Sequence, residues 1–413
     1  MQLVQRHIIN KNHKYWSYFD QQAFLSKNLF NLTNYQMRQH FFEKKEILSF
    51  TSLYHLVSKS DAYYALPNTK VAKQIIRRIH KAWIGYKQAH KDWKRNPSKY
   101  LGEPRIPKYK DKIKGRYAVI FPDETVSKPA LRKGVVKLTP CPIEFESGLQ
   151  EVDEVRVIPR SGCYVVEIVY SQEPINNSAT EVAGIDLGLT NLITLTSNQP
   201  GVKPLLIKGG ALKAINTYYN KQKAKIQSEL ENKHKAKTSN RLNKLTHKRN
   251  CRVNNYLHTS SRRVIDWCIA NQVGTLIVGK NDGWKQSINI GRKNNQQFVN
   301  VPHAQLISMI SYKAELLGIK VVVTEESYSS KSSILDNDPL PKYGEDKPKF
   351  SGKRVKRGLY VSKNGIRINA DVQGSLNIIR KVKPNVFDYG LRGLPFSPVT
   401  LDPLRTHDFL QIA

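Results

Sequence analysis

The sequence is poor in cysteine, in acidic residues and in long apolar runs. Its four cysteines lie far apart and form no C-x-x-C pair, which argues against a disulfide framework and against a cysteine zinc site. No apolar run is long enough to span a bilayer, and the first residues lack the apolar core of a signal peptide. These absences predict a soluble, intracellular protein that does not act in a membrane.

The shortage of acids is the strongest compositional signal. Asp and Glu total 33 against 67 Lys and Arg, a net charge of +34 over 413 residues. A surface this positive attracts polyanions, and nucleic acid is the commonest polyanion in a cell. A structural packer of nucleic acid would explain the charge, but the ordered apolar segments favour a large folded binder with about two or three domains.

The first half of the chain mixes strand-like and helical patterns. Residues 2–9 alternate loosely and predict one strand, whereas residues 15–93 have helical spacing, with Thr69 as a possible N-cap of the clearest helix. A segment rich in Pro and Lys, residues 104–114, ends the helices. Short strand candidates follow between turn signals and predict a small barrel or sandwich: residues 117–121, 135–138, 152–157 and 163–170.

The second half opens on an apolar strand that starts at Val182, presents Asp186 near its end and turns at Gly188 into a second strand. Residues 203–263 keep helical spacing, are crowded with Lys and Arg, and predict long basic helices facing a polyanion. Further strands are predicted at 273–278 and 319–324, with helices from Pro302 and over 370–382; residues 327–368 and those beyond 384 show no regular pattern.

Acidic residues stand at the ends of three of these elements: Asp186 after the first strand, Glu325 and Glu326 after the strand at 319–324, and Asp371 in the first turn of a helix that Asn369 caps. Each alone has an ordinary explanation, a turn residue or a favourable charge at a helix N-terminus. Together they follow the element order by which an RNase H-like sheet gathers carboxylates. Hard oxygen ligands of this kind suit Mg²⁺ or Mn²⁺. This placement, beside so basic a surface, predicts a metal-dependent nuclease.

Several motifs, taken in order, resemble the TnpB family, transposon-encoded relatives of the type V CRISPR effectors. The motifs are GIDLGLTNL, GKNDGWKQ, EESYSSKSS, KRVKRGL and INADVQGSLNI, with weaker likeness in SKNLFNLTNY and PRIPKYKDK. The resemblance implies a transposon-associated, RNA-guided DNA endonuclease with a RuvC-type nuclease domain. Its partners would be a transposon-derived (omega-type) guide RNA and double-stranded target DNA, and it would act as one protein chain in a prokaryotic, nucleoid-associated ribonucleoprotein.

The resemblance also implies a multidomain α+β and α/β organisation, in which a wedge β-barrel is interrupted by a helical recognition domain and followed by an RNase H-like (RuvC) domain. The expected boundaries are 1–10 and 96–178 for the barrel, 11–95 for the recognition domain, 179–383 for the nuclease domain, and 384–413 for a tail. Within the nuclease domain, 205–272 would be a basic helical insertion. Residues 327–368 would occupy the place of the family's zinc ribbon without its cysteines, so no zinc is expected there.

One departure concerns the second catalytic acid. Most relatives carry a glutamate directly after the strand at 273–278, where this chain has Gly279. Some members place it after the next strand, in a Glu-x-Tyr-Thr-Ser-Lys pattern, and the residues from Glu326 to Lys331 match that arrangement with Ser329 in place of Thr. The match selects Glu326, and Glu325 stays as the alternative.

The predicted catalytic and metal-binding residues are therefore Asp186, Glu326 and Asp371, binding two Mg²⁺ or Mn²⁺ ions. Nucleic-acid contacts are predicted at eight basic residues: Lys108, Lys110, Arg249, Arg262, Lys285, Lys331, Arg354 and Arg357. The alternative function is a guide-dependent DNA-binding protein with an inactive nuclease site, serving as a repressor or a transposition accessory factor. A strand transferase with a covalent Tyr or Ser nucleophile has no motif in its favour.

Overall fold

The structure is a computed structural model that describes residues 1–281, 283, 291–342, 344–345, 348–356, 358–388 and 390–405; of residues 234 and 292–294 it describes the backbone alone. The chain divides into two compact units, residues 1–172 and 173–413. Within the described ranges, no helix is both long and apolar enough to cross a membrane. The second unit starts earlier than the predicted residue 179, because Ile175 donates its N–H to Leu316 O (2.9 Å) and Asn177 Nδ2 donates to Val273 O (3.4 Å).

The first unit contains helices and antiparallel strands. In chain order these are β1 Gln2–Asn10, α1 Trp16–Lys44, α2 Phe50–Val57, α3 Asp61–Tyr64, α4 Thr69–Arg95, β2 Val119–Pro122, α5 Lys128–Leu131, β3 Val135–Leu138, β4 Ile143–Glu146, β5 Glu154–Arg160 and β6 Cys163–Ser171. The helix predicted around Thr69 is present, but its N-cap is Asn68, whose Oδ1 accepts the N–H of Val71 at 2.9 Å. Thr69 is instead the first helical residue.

The strands of the first unit form an antiparallel sheet in the order β1-β6-β5-β2 and a separate hairpin of β3 and β4, with an isolated bridge between Val126 and Leu138. The described ladders therefore give an open sheet plus a hairpin where a closed barrel was expected. The strand at Ile143–Glu146 was not predicted from the sequence. Four residues of alternating burial are too short to give a strong periodic signal.

The second unit is built on one six-stranded sheet. Its elements are β7 Glu181–Leu187, β8 Asn191–Ser197, β9 Leu205–Lys208, α6 Gly210–His234, α7 Asn240–Ala270, β10 Val273–Gly279, α8 Arg292–Asn300, α9 His303–Leu316, β11 Lys320–Thr324, β12 Lys353–Lys356, β13 Leu359–Val361, β14 Arg367–Ile368, α10 Ala370–Val382 and β15 Val399–Leu401. The sheet order is β11-β10-β7-β8-β9-β15. Strands β7, β8 and β9 are antiparallel neighbours, and β10 runs parallel to both β7 and β11.

Helices cover both faces of this sheet. On one face, Ile185 of β7 shares a core with residues of α7 and α9, such as Leu257 and Leu306. On the other, Val182 of β7 packs with residues of α10, such as Leu376. Because both faces are covered, β7 and β8 are almost continuously buried, as expected of a central strand pair. Side chains alternate along a strand, so Asp186 lies on the same face as Val182, the face that α10 covers.

Two stretches predicted to be irregular contain strands. Within 327–368, strands β12, β13 and β14 form a three-stranded antiparallel sheet. In the predicted tail, β15 pairs in parallel with β9, and Leu401 is fully buried. Both predictions were wrong for these residues because such short strands are stabilised by tertiary pairing and carry no periodic signal of their own.

Candidate active site

Asp186 lies near the end of β7, where the chain makes a tight turn to β8. At Gly188, a side-chain Cβ would come within 2.4 Å of the Asn191 carbonyl oxygen, so the close return of the backbone requires glycine. Helix α10 crosses directly over Asp186: a Cβ on Gly374 would lie 2.9 Å from Asp186 Oδ2. Burial first, and then the charge of Asp371, raise the pKa of Asp186 to about 7. The carboxylate is thus held in a site that penalises its charge.

Asp371 reaches the same place from the start of α10. The helix has the predicted bounds and the predicted cap, since Asn369 Oδ1 accepts the N–H groups of Asp371 (2.9 Å) and Val372 (3.2 Å). Asn191, the first residue of β8, donates from Nδ2 to Asp371 Oδ2 at 2.6 Å. On the other side, the Arg354 guanidinium lies 3.5 Å from Asp371 Oδ1. These contacts fix the direction in which Asp371 points.

The two consecutive glutamates after β11 have different surroundings. Glu325 forms an ion pair with the nearly buried Lys381 and accepts the Ser327 N–H at 2.9 Å. Burial alone would raise the pKa of Glu325, but these hydrogen bonds outweigh it and hold the pKa below its usual range. Glu326 turns the other way, as expected of neighbours in extended chain. The geometry therefore assigns a structural partner to Glu325 and leaves Glu326 available.

The charge of Glu326 interacts with that of Asp186. Burial first, and then the charges of Asp186 and Glu325, raise the pKa of Glu326 to about 8. Asn281 donates to Glu326 Oε1 at 3.5 Å and accepts the Glu326 N–H at 3.0 Å. Among the described residues, the buried Oε2 atom finds no hydrogen-bond donor. A buried carboxylate oxygen without a donor is costly, so this oxygen is stabilised either by a proton or, when ionised, by a cation.

Gly279 makes this position of Glu326 possible. Strand β10 lies between β7 and β11, with Val278 opposite Ile185 and Gly279 opposite Thr324. A Cβ on Gly279 would lie 3.0 Å from Glu326 Oε2 and 2.5 Å from Ile378 Cδ1. The carboxylate of Glu326, which follows β11, therefore occupies space next to β10 that a side chain at position 279 would need.

Asp186 and Asp371 line one cavity of about 300 Å³, together with Asn191, Thr194 and Arg354. Glu326 does not line this cavity, although its charge acts on Asp186. Across the described ranges, no three His, Cys, Asp or Glu side chains converge tightly enough to form a ready-made metal cluster. Three like-charged groups repel one another without a cation between them. A divalent ion would relieve this repulsion, and carboxylate oxygens such as those of Asp186, Asp371 and Glu326 are the kind of ligand that a hard ion prefers.

The predicted nucleic-acid contacts have varied surroundings. Lys108, Lys110 and Lys331 are exposed, and Arg354 lies beside the cavity. Lys285 and Arg357 lie outside the described residues. Two further residues are already engaged, since Arg262 pairs with Asp266 at 2.7 Å and the Arg249 guanidinium donates to Asn216 Oδ1 at 2.7 and 2.9 Å and to Asn300 O at 2.9 Å. Arg249 thus joins α6 and α7 to the segment before α9.

Sequence reasoning missed the polar residues that position the carboxylates: Asn191 beside Asp371, Lys381 beside Glu325, and Asn281 beside Glu326. The asparagine of GLTNL follows Asp186 closely enough to have been noticed. Lys381 is 56 residues from Glu325, and nothing in the sequence connects the two. The fully buried His303 was also missed; its Nε2 lies 3.2 Å from Gly188 O, against the turn that follows Asp186.

Comparison with solved structures defines the class of fold. The chain is similar to the Cas12f1 protein of a Cas12f1–sgRNA–target DNA complex, at 15% identity over 87% of this chain and 82% of that chain, with a TM-score of 0.52. It also aligns with the mini-RNA-guided endonuclease CRISPR-Cas_phi3 at 11% identity over 97% of this chain and 94% of that one, with a TM-score of 0.44. The first likeness shows a mixed α/β multidomain fold of the Cas12f kind.

Comparison with protein families then identifies the chain more closely. Residues 164–285 match the family described as probable transposase, OrfB_IS605. Residues 303–378 match the Cas12f1-like TNB domain. The predicted resemblance is confirmed for these two stretches: residues 164–285 resemble an OrfB-type probable transposase of the TnpB kind, and residues 303–378 resemble a Cas12f1-like TNB domain. Among curated proteins, none gives a significant match.

Proposed function

We propose that this protein is an RNA-guided DNA endonuclease that hydrolyses phosphodiesters at an RNase H-like, RuvC-type site. The observation that carries the proposal is that Asp186 and Glu326 are buried and act on each other's charge, which raises both pKa values, while Asp371 lines the same cavity as Asp186. The sheet order supports an RNase H-like domain, since β10 and β11 run parallel to β7 while β7, β8 and β9 are antiparallel neighbours. The similarity to Cas12f1 and the charge of +34 support nucleic acid as partner and substrate.

Asp186, Glu326 and Asp371 would hold a pair of Mg²⁺ or Mn²⁺ ions. When bound, such ions supply charge stabilisation for in-line hydrolysis of a phosphodiester, which would leave a 5′ phosphate. The protein itself contributes orientation. Asn191 fixes one oxygen of Asp371, and Lys381 pairs with Glu325, so that Glu326 is the glutamate whose charge acts on Asp186.

In this proposal Arg354 contacts the bound nucleic-acid strand. Its guanidinium lines the cavity, is about half exposed and stands beside Asp371. A planar guanidinium at this position suits a phosphate oxygen of the bound strand, which it can contact in a bidentate manner. The neighbouring residues of β12 are exposed and mostly basic, so the whole strand presents positive charge next to the carboxylates.

The alternative, a guided DNA-binding protein with an inactive nuclease site, is favoured by a different observation. The three carboxylates do not form a compact cluster in the described residues, and Gly279 replaces the glutamate that most relatives carry. Under this alternative Glu326 would be a buried carboxylic acid without a metal. The two functions make opposite predictions for one substitution.

The test compares Glu326→Gln with Glu325→Gln in the protein purified with its guide RNA from the native locus. We expect Glu326→Gln to bind target DNA normally and to lose plasmid cleavage by about a thousandfold, since a metal ligand is removed. Glu325→Gln, a matched change one residue away, should retain cleavage. Wild-type protein that binds guided target but cuts no DNA in Mg²⁺ or Mn²⁺ would instead establish the binding function. Loss in Glu325→Gln alone would assign the role to Glu325.

A further inference from the structure

Residues 104–118 of the first unit, which we call the strap, contain no helix or strand, yet α1 fixes their backbone. Asn34 Nδ2 and Arg38 Nη1 both donate to Pro107 O, at 3.0 and 3.1 Å. Asn31 clamps Lys110 twice, donating to its carbonyl oxygen and accepting its N–H, each at 2.9 Å. The strap is therefore held at two points that flank residues 108 and 109.

This clamping places an exposed aromatic ring beside a helix. The ring of Tyr109 is 44% exposed and lies 4.8 Å from the Arg38 guanidinium carbon. The same guanidinium lies 5.6 Å from the ring of Phe42, which is 49% exposed. Tyr109, Arg38 and Phe42 thus form a stack, which we call the aromatic platform. Large aromatic side chains normally contribute most when buried, so two of them held open on a fixed backbone indicate a binding surface.

Basic residues flank Tyr109 within the strap. Lys108 and Lys110 are exposed on either side of Tyr109, and the Lys110 ammonium lies over the ring of Tyr117 at 5.7 Å. The nearby Asp111 carboxylate accepts the N–H groups of Ile113 (2.9 Å) and Lys114 (2.6 Å) within its own turn and keeps its negative charge, because these hydrogen bonds lower its pKa. Glu43, which follows Phe42 in α1, is an exposed acid at the edge of the platform.

We propose that the aromatic platform binds unpaired nucleobases, with Lys108 and Lys110 contacting the adjoining phosphates. An exposed aromatic face accepts a stacked base of any identity, and flanking cations follow the backbone of the same strand. A base-paired duplex hides its base faces, so single-stranded nucleic acid is the partner that this chemistry recognises. The clamped strap needs no ordering on binding, which lowers the entropic cost. The proposal rests on the proposed function only in taking nucleic acid as the partner.

The experiment measures binding of fluorescein-labelled oligonucleotides to the full chain by anisotropy. The probes are a 12-nucleotide DNA strand, the same sequence as RNA, and a blunt DNA duplex. Tyr109→Ala and Phe42→Ala are compared with Tyr109→Phe, which keeps the ring, and with Tyr64→Ala, which removes a tyrosine of the same unit that is 66% exposed. A second set, Lys108→Gln and Lys110→Gln, is titrated at several salt concentrations.

We expect Tyr109→Ala to weaken single-strand binding about five- to a hundredfold while duplex affinity stays unchanged, because one stacked base contributes about 1–3 kcal/mol. Tyr109→Phe and Tyr64→Ala should match the wild type. Each lysine variant should lower the salt slope by about one, a change that Tyr109→Ala should not produce. A preference for the RNA strand would assign the platform to the guide, and a preference for DNA to the displaced or target strand; both results support the proposal.

The proposal is overturned if Tyr109→Ala weakens single-strand and duplex binding equally, or if it weakens neither of them. It is also overturned if Tyr109→Ala leaves binding intact and lowers the melting temperature by several degrees, since the ring would then be a packing contact. Plasmid cleavage is scored separately. If the protein cleaves DNA and Tyr109→Ala binds single strands like the wild type, only the platform inference is wrong. If the protein binds single strands selectively through Tyr109 but never cuts DNA, only the nuclease proposal is wrong.

Discussion

Two groups of carboxylates in the second unit differ in what surrounds them. In the segment before β12, Asp338 accepts the N–H groups of Ser333 and Ser351, each at 2.9 Å, and the Ser351 hydroxyl. Asp336 accepts the Ser333 hydroxyl at 2.6 Å and the Lys363 N–H at 2.9 Å. These aspartates join three separate stretches of a segment that has no cysteine to bind zinc. Their hydrogen bonds are made within the protein.

The balance between burial and hydrogen bonding differs between the two groups. Burial alone would raise the pKa of Asp338, but its hydrogen bonds outweigh burial and keep the pKa below its usual value. For Asp186 and Glu326, burial and mutual repulsion prevail, and the pKa values rise to about 7 and about 8. The same kind of side chain stabilises the fold where its hydrogen bonds outweigh burial, and destabilises it where burial and neighbouring negative charges outweigh them. The second group is therefore the one suited to a ligand.

Replacing Asp186 by Asn should cause the largest loss of DNA cleavage and should at the same time raise the stability of the metal-free protein. We expect guided DNA cleavage to fall by about a thousandfold or more, because a metal ligand is lost. The melting temperature in EDTA at pH 8 should rise by several degrees, because a charge that the site penalises is removed. Plasmid cleavage and differential scanning calorimetry measure the two effects.

The pH dependence provides the control for this variant. Both raised pKa values exceed those of the unfolded chain, so ionisation costs folded-state stability. In EDTA, stability contributed by these groups should be highest near pH 4, fall as the pH rises, and level off above about pH 8. Mg²⁺ should restore most of the lost stability in wild-type protein and little in Asp186→Asn. If addition of Mg²⁺ at pH 8 left the wild-type melting temperature unchanged, the metal assignment would be contradicted.

Asp338→Ala should have the largest effect on stability among these substitutions. It leaves two backbone N–H groups and one hydroxyl without their acceptor, which costs about 3 kcal/mol. For a unit of this size we expect the melting temperature to fall by about 5–10 °C. Cleavage measured well below that temperature should change little. If zinc chelation instead lowered the wild-type melting temperature as much as this substitution does, the aspartates would not be what holds the segment.

Gly279→Ala tests the space beside Glu326 and should have the smallest effect. The new methyl would overlap Ile378 Cδ1 at 2.5 Å and crowd Glu326 Oε2 at 3.0 Å. We expect cleavage to fall about tenfold and stability by about 1–2 kcal/mol. The double variant Gly279→Ala/Ile378→Val, which removes the clashing Cδ1 atom, should recover most of the stability. Full cleavage in Gly279→Ala would show that Glu326 does not need this space.

Much of the second unit could be predicted from local sequence. The hairpin of β7 and β8 follows from two apolar runs separated by a glycine turn, and α10 has the predicted bounds because Asn369, Asp371 and the apolar spacing all indicate the same start. Other elements could not be predicted. The strands within 327–368 and β15 are short, and they exist because partners from distant parts of the chain pair with them.

The choice between Glu325 and Glu326 shows the same limit at the level of one site. The sequence shows two adjacent glutamates after a strand, and alternation requires them to point in opposite directions. Only the tertiary structure places Lys381 beside Glu325 and brings Glu326 within range of the charge of Asp186. The Arg249 side chain is a similar case, since its sequence neighbourhood predicts a nucleic-acid contact and its hydrogen bonds join protein segments.

The sequence by itself determined the basic surface, the apolar strand that carries Asp186, the capped helix that carries Asp371, and the likeness to the TnpB family. These depend on composition, periodicity and motifs that lie within a few residues of one another. The tertiary structure decided which glutamate has a charge that acts on Asp186, why position 279 is glycine, and that Glu326 Oε2 has no hydrogen-bond donor among the described residues. Those properties depend on burial and on contacts between residues far apart in the chain, and local sequence does not encode either one.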